Sequence, residues 1–154
     1  MRRHDALIPL THDHHHALAR ARRLRLAAAS GDGEEQRAAA VEFVEFFLDD
    51  SLLHFREEEE IFFPLVIDRP DAPIELLSRL LLEHVRMHRL VRSLRTEVEE
   101  GAPAPETLHA IGELLAAHIR VEEAELFPLM ERLVSEEDLR SIRLAPRERT
   151  PPPR

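Results

Sequence analysis

The sequence predicts an all-α protein, an antiparallel up-down-up-down four-helix bundle with a short C-terminal fifth helix. Three observations predict it. Apolar residues recur at three- and four-residue spacing along most of the 154-residue chain, without the two-residue alternation of a half-buried strand. Glycine- and proline-rich breaks divide that pattern into long stretches with short connections, which favour antiparallel neighbours. A phrase also recurs: residues 54–64 read HFREEEEIFFP and residues 118–128 read HIRVEEAELFP.

The elements follow in order. Thr11 is a good N-cap, so the first helix is expected from there to about Ala29, broken by Ser30-Gly31-Asp32-Gly33. The second runs from about Glu34 to the region of Phe63-Pro64, where the proline lacks an N–H and clashes one turn back. Arg69-Pro70-Asp71-Ala72-Pro73 is a turn, with Pro73 suited to the first position of the third helix. That helix continues to Glu100 and stops at Gly101. Ala102-Pro103-Ala104-Pro105 leads into the fourth helix, which reaches about Val134, and Ser135-Glu136-Glu137-Asp138 is the capped start of the fifth. Residues 1–145 read as one domain and the Pro-rich residues 146–154 as a disordered tail.

Composition narrows the function classes. With no cysteine, disulfides, thiolate zinc sites, iron–sulfur clusters and thiol nucleophiles are all excluded. The N-terminal residues lack a signal peptide's apolar region, and no stretch approaches the roughly 20 apolar residues of a membrane span. A cytoplasmic protein without a membrane partner is expected. A net charge of −9 argues against nucleic acid, which needs a basic face. Nothing in the sequence indicates an oligomeric state.

Ten histidines are an excess, and their placement carries the functional reading. Four residues is just over one helical turn, so His54 shares a face with Glu58, and His118 with Glu122. His84 and His88 repeat the spacing with two imidazoles. These groups interrupt apolar stripes: Phe43, Phe47, Ser51, Ile61 and Leu65 on the second helix, and Ile111, Leu115, Leu129 and Leu133 on the fourth. On the third helix the stripe is Leu77, Leu81 and Val91; on the first, Leu7, Leu10, Leu18 and Ala21 pick out His14. Unpaired buried carboxylates cost several kcal/mol, so the pattern needs a compensating partner. At about 1.5 Å rise per residue the donors fall in one slab across a bundle. Imidazole and carboxylate presented twice in one slab suit a two-metal site. Glu57, Glu59 and Glu60 read as an exposed acidic face, one of which could hydrogen-bond a ligand imidazole. His4, His109 and the remaining first-helix histidines read as solvated surface.

From about His12 to Arg143 the chain resembles hemerythrin-like domains, four-helix bundles that hold a non-haem diiron centre. The resemblance rests on Asp13-His14, His54-x-x-x-Glu58, His84-x-x-x-His88, and His118-x-x-x-Glu122 with Glu125-Leu126-Phe127-Pro128. It implies His14, His54, Glu58, His84, His88, His118 and Glu122 as ligands, with the two glutamates bridging two non-haem Fe ions that share an oxo or hydroxo bridge. His15 is the alternative on the first helix if that helix is rotated. The classical family pattern would select Glu123, whereas the internal repeat favours Glu122.

Five imidazoles, two bridging carboxylates and a solvent-derived bridge would leave one free position on a pair of six-coordinate irons. One position suits a small ligand such as O2, NO or peroxide, bound for carriage, storage or sensing. Two positions would suit redox turnover of peroxide or nitric oxide, and His88 decides between these counts. Phe47, Ile61, Leu81, Met87, Leu115 and Val121 are candidates for an apolar shell around the irons. Sensing of iron through metal-linked folding is a further reading.

Overall fold

The computed structural model describes residues 2–147, and every regular element among them is helical. Helix α1 (Ile8–Ser30) begins earlier than expected, because Pro9 occupies its first turn, where an N–H is not needed. Thr11 therefore lies inside the helix, and its hydroxyl donates instead to Glu123 Oε1 at 2.9 Å. Gly31, at φ 69°, ends α1 in the left-handed region that glycine adopts without strain. Asp32 then caps α2 (Gly33–Phe46) by accepting from the N–H groups of Glu34 and Glu35.

The expected second helix runs on, but not as a regular α-helix. A π-turn, π1 (Phe47–Ser51), is followed by α3 (Leu52–Glu57) and a second π-turn, π2 (Glu58–Phe62). A 3-10 turn at Phe63–Leu65 holds Pro64 and ends the segment. Next come α4 (Ile74–Glu99), with Pro73 at its N-cap, and α5 (Pro105–Val121). A third π-turn, π3 (Glu122–Leu126), leads into α6 (Phe127–Leu133). Ser135 caps α7 (Glu136–Ser141) through the Asp138 N–H, as the sequence indicates.

The π-turns place the core. In π2 and π3 the N–H of Phe63 bonds to Glu58 O and that of Phe127 to Glu122 O, one residue wider than an α-helical bond. Each inserts one extra residue directly before a Phe-Pro pair, and the wider turn accommodates a proline that cannot donate. The extra residue rotates everything downstream by about 100°. The buried positions thus become Phe62, Phe63 and Val66 in place of Ile61 and Leu65, and Leu126, Phe127, Met130 and Val134 in place of Leu129 and Leu133.

The apolar interior is split. One cluster gathers Ala21, Leu24, Phe43, Phe47, Met87, Leu94, Leu108 and Ile111; the other gathers Leu7, Leu10, Phe62, Leu77, Leu80, Phe127, Met130 and Leu139. Between them lies a layer of buried histidine and glutamate. Close contact of α1 with α5 supports this layout, since a Cβ on Gly112 would stand 2.8 Å from the Ala21 carbonyl oxygen. No helix among the described residues is long and apolar enough to cross a membrane.

Candidate metal centre

Six of the seven residues singled out in the sequence meet in the polar layer. His14, on α1, and His54, on α3, face each other with their Nε2 atoms 3.2 Å apart. His84, on α4, and His118, on α5, do the same at 3.2 Å. Glu58 and Glu122, both fully buried, lie between the two pairs. Glu58 turns Oε1 to His54 Nε2 at 3.0 Å and Oε2 to His84 Nε2 at 3.3 Å. Glu122 turns Oε2 to His14 Nε2 at 2.9 Å and Oε1 to His118 Nε2 at 2.7 Å. Each carboxylate thus presents one oxygen to each histidine pair. Two four-residue groups result, His14–His54–Glu58–Glu122 and Glu58–His84–His118–Glu122, with both glutamates in common.

The outward nitrogens are held in a pattern that the sequence reading did not resolve. His14 Nδ1 lies 2.6 Å from Glu123 Oε1, His54 Nδ1 3.0 Å from Asp13 Oδ2, and His84 Nδ1 2.8 Å from Glu59 Oε1. His118 Nδ1 faces Glu83 Oε2 at 3.5 Å, a longer ion-pair contact. A proton on Nδ1 donated to a carboxylate fixes the ring and leaves the Nε2 lone pair directed inward, as metal-bound histidines are held. Two of the carboxylates directly precede a histidine (Asp13-His14, Glu83-His84), and two directly follow a central glutamate (Glu58-Glu59, Glu122-Glu123). The duplication therefore extends past the Phe-Pro phrases to an acid-His pair on α1 and another on α4. That doubled acid-His pair was the available signal. Glu123 supports His14, while Glu122 occupies the centre.

His88 does not join the group. The buried stripe of α4 runs Leu77, Leu80, His84, Met87, Val91, Leu94, so Leu81 and His88 fall on an exposed flank. The His88 ring meets Phe47 and Phe55 edge-on, with centroids at 5.7 and 6.2 Å, and Phe55 stands between it and His84. On α1, His14 is buried and His15 exposed. Glu57 was expected at the surface; it is 5% exposed and accepts from the Ala145 N–H at 3.1 Å. Of the residues expected to be disordered, Pro146 and Arg147 are described, and Arg147 pairs with Asp13 and Glu57; residues 148–154 lie outside those described.

The electrostatics show what the cluster lacks without a metal. All four oxygens of Glu58 and Glu122 are buried, and among the described residues none receives a hydrogen bond of acceptable geometry. Each such omission costs about 1–3 kcal/mol, and more for a charged group. Protons compensate in part. Burial acts to lower His118, but the charge of Glu122, with Oε1 2.7 Å from Nε2, outweighs it and raises His118 to about 10. His54 is likewise raised well above its ordinary value, against burial, by Glu58, Asp13 and Glu122. Burial acts to raise Glu122, and His118, His14 and His54 hold it well below the carboxylate range. Divalent cations could replace those protons and satisfy all four oxygens together. Imidazole with carboxylate suits iron, zinc or manganese, so the donor set fits a pair of such ions.

The surroundings of the two pairs differ. Phe55 stacks flat on His84 at 3.9 Å between centroids. The corresponding position in the second phrase is Ile119, beside which lies a cavity of about 30 Å³. Its wall includes His14, His54 and His118 of the four central histidines, but not His84, together with Phe55, Ile119 and Arg147. The rings of Phe127 and Phe63 repeat one another, stacking on His14 at 5.3 Å and on His84 at 6.4 Å.

No curated protein and no solved structure gives a significant match to the chain. The family model of the hemerythrin HHE cation binding domain matches residues 6–130, which span the whole cluster. The chain belongs to the hemerythrin HHE cation-binding domain family.

Proposed function

We propose that this protein is a non-haem diiron protein that binds O2 or a similarly small ligand beside the His14/His54 ion. The observation that carries this reading is the cavity of about 30 Å³ next to that pair. A water needs roughly 10–15 Å³ measured this way, so the space suits a diatomic molecule and is too small for an organic substrate. His14, His54, His84 and His118 would supply nitrogen, and Glu58 and Glu122 would bridge, in a bundle whose long segments run up-down-up-down.

Two iron ions with an oxo or hydroxo bridge would supply reversible electron exchange with the bound ligand. The chain's own residues do the rest. Asp13 and Glu123 fix the two imidazoles beside the cavity; Leu115 and Ile119 keep its wall apolar and limit water entry. Phe55, against His84, blocks the equivalent approach on the other side. Mixing the anaerobic diferrous protein with O2 should give a visible charge-transfer band that disappears on deoxygenation. The chain has no Trp or Tyr, so strong near-ultraviolet absorption accompanying that band would also come almost entirely from the metal centre. Oxidation without a reversible band would overturn carriage and storage.

The position of His88 favours a second reading. With six protein ligands instead of seven, the count leaves two free positions, which better suits turnover of peroxide or nitric oxide. Steady-state assays with hydrogen peroxide and NO separate the readings, since a pure carrier turns over neither faster than free iron.

A further inference from the structure

The first phrase carries a buried carboxylate, Glu57, where the second carries Val121. Glu57 takes no part in the four-residue groups around the centre. Burying such a group costs several kcal/mol unless it is paired, so its partners explain its place. They come from the far end of the described chain: the Ala145 N–H donates to Glu57 Oε2 at 3.1 Å, and Arg147 Nη2 stands 2.5 Å from Oε1. The same Arg147 nitrogen donates to Asp13 Oδ2 at 3.0 Å, and that oxygen holds His54 Nδ1 at 3.0 Å. Arg147 is 11% exposed and forms part of the cavity wall. Among the described residues the other half has no such strap. Glu83, the counterpart of Asp13, is paired with Arg79 from its own helix, and Arg79 is 55% exposed.

We propose that Arg147 is a positioning residue for one metal site of the two: it orients Asp13, and through Asp13 the His54 ring, so the C-terminal segment controls how firmly the His14/His54 ion is held. The inference rests on the two-ion reading above. Removing the guanidinium leaves Asp13 and Glu57 as neighbouring carboxylates with no shared cation, and Asp13 is then free to turn from His54. Supporting groups of this kind typically change metal affinity about 10–100-fold.

The full-length protein, loaded with cobalt(II) and mixed with excess chelator, should release its ions in two phases followed by the cobalt visible bands. His14→Ala, which removes a nitrogen from that half, identifies the phase of the His14/His54 ion. Arg147→Ala should speed that phase about tenfold or more and leave the other unchanged. Arg147→Lys, which keeps the charge without the planar fork, should fall between. Arg79→Ala should alter neither phase strongly. Unchanged release in Arg147→Ala overturns the proposal, as does equal acceleration of both phases, which would indicate general loosening. A parent protein holding fewer than two cobalt ions instead overturns the two-ion reading itself.

Discussion

On the His84/His118 side of the centre an aromatic ring lies flat on the imidazole; on the His14/His54 side the equivalent position holds Ile119 and a cavity remains. The inner histidines and glutamates are otherwise related by the repeat, as are the carboxylates behind them. A further π-turn, π1, stands on the cavity side, ending at Ser51, where the second phrase has Leu115 in regular helix. In the proposed centre the symmetric part would hold the ions, and the asymmetric part would determine where a small molecule reaches them.

The largest expected effect strikes the groups that both halves share. Glu58→Ala or Glu122→Ala should abolish binding of both ions, whereas His54→Ala should leave close to one; metal analysis after dialysis reads the difference. If a bridging variant kept a full pair, the shared-carboxylate account would be wrong. Next comes the swap that would equalise the halves. Ile119→Phe should fill the cavity and slow azide binding to the diferric protein by about tenfold or more, with metal content unchanged. Phe55→Ile should open the other side, at a stability cost of about 1–2 kcal/mol for the lost packing. Azide kinetics untouched by either change would remove the cavity from the account.

The metal-free protein should also respond to pH in a definite direction. His118, raised from 6.5 to about 10, contributes stability that is fully present below 6.5 and is lost as pH rises toward 10. Glu122, lowered well below 4.5, contributes stability present above that value and lost in stronger acid. The melting temperature of the metal-free form should therefore fall between pH 6.5 and 10, while the metal-loaded form, whose ligands are deprotonated, should not follow it. Parallel curves would show that protons and metal do not compete for the cluster. The smallest effect is expected at His88: His88→Ala should change metal affinity by less than about twofold, because the side chain lies on the exposed flank of α4. Loss of an ion in that variant would restore the seven-ligand set and a single free position.

Much of this was legible in the repeat. His54, Glu58, His118 and Glu122 each sit one helical turn from a partner, and the regular helix holds over that turn. Legibility failed where the backbone departs from 3.6 residues per turn. After Glu58 and Glu122 the core positions shift by one, and the signal was two adjacent large apolar residues before a proline, Phe62-Phe63-Pro64 and Leu126-Phe127-Pro128. On α4 the choice between Leu80/Met87 and Leu81/His88 was open at two positions, but the next pair, Leu94 against Arg95, favours the first stripe. Glu57 and Arg147 were beyond reach, because neither local spacing nor charge indicates that the C-terminal segment returns to α3.

Anomalous diffraction at the iron edge from crystals of the reconstituted protein tests the central claim most directly. Two peaks are expected about 3.5–4 Å apart, one against His14 and His54, the other against His84 and His118, with Glu58 and Glu122 touching both. A single peak, or one drawn out to His88, would contradict it.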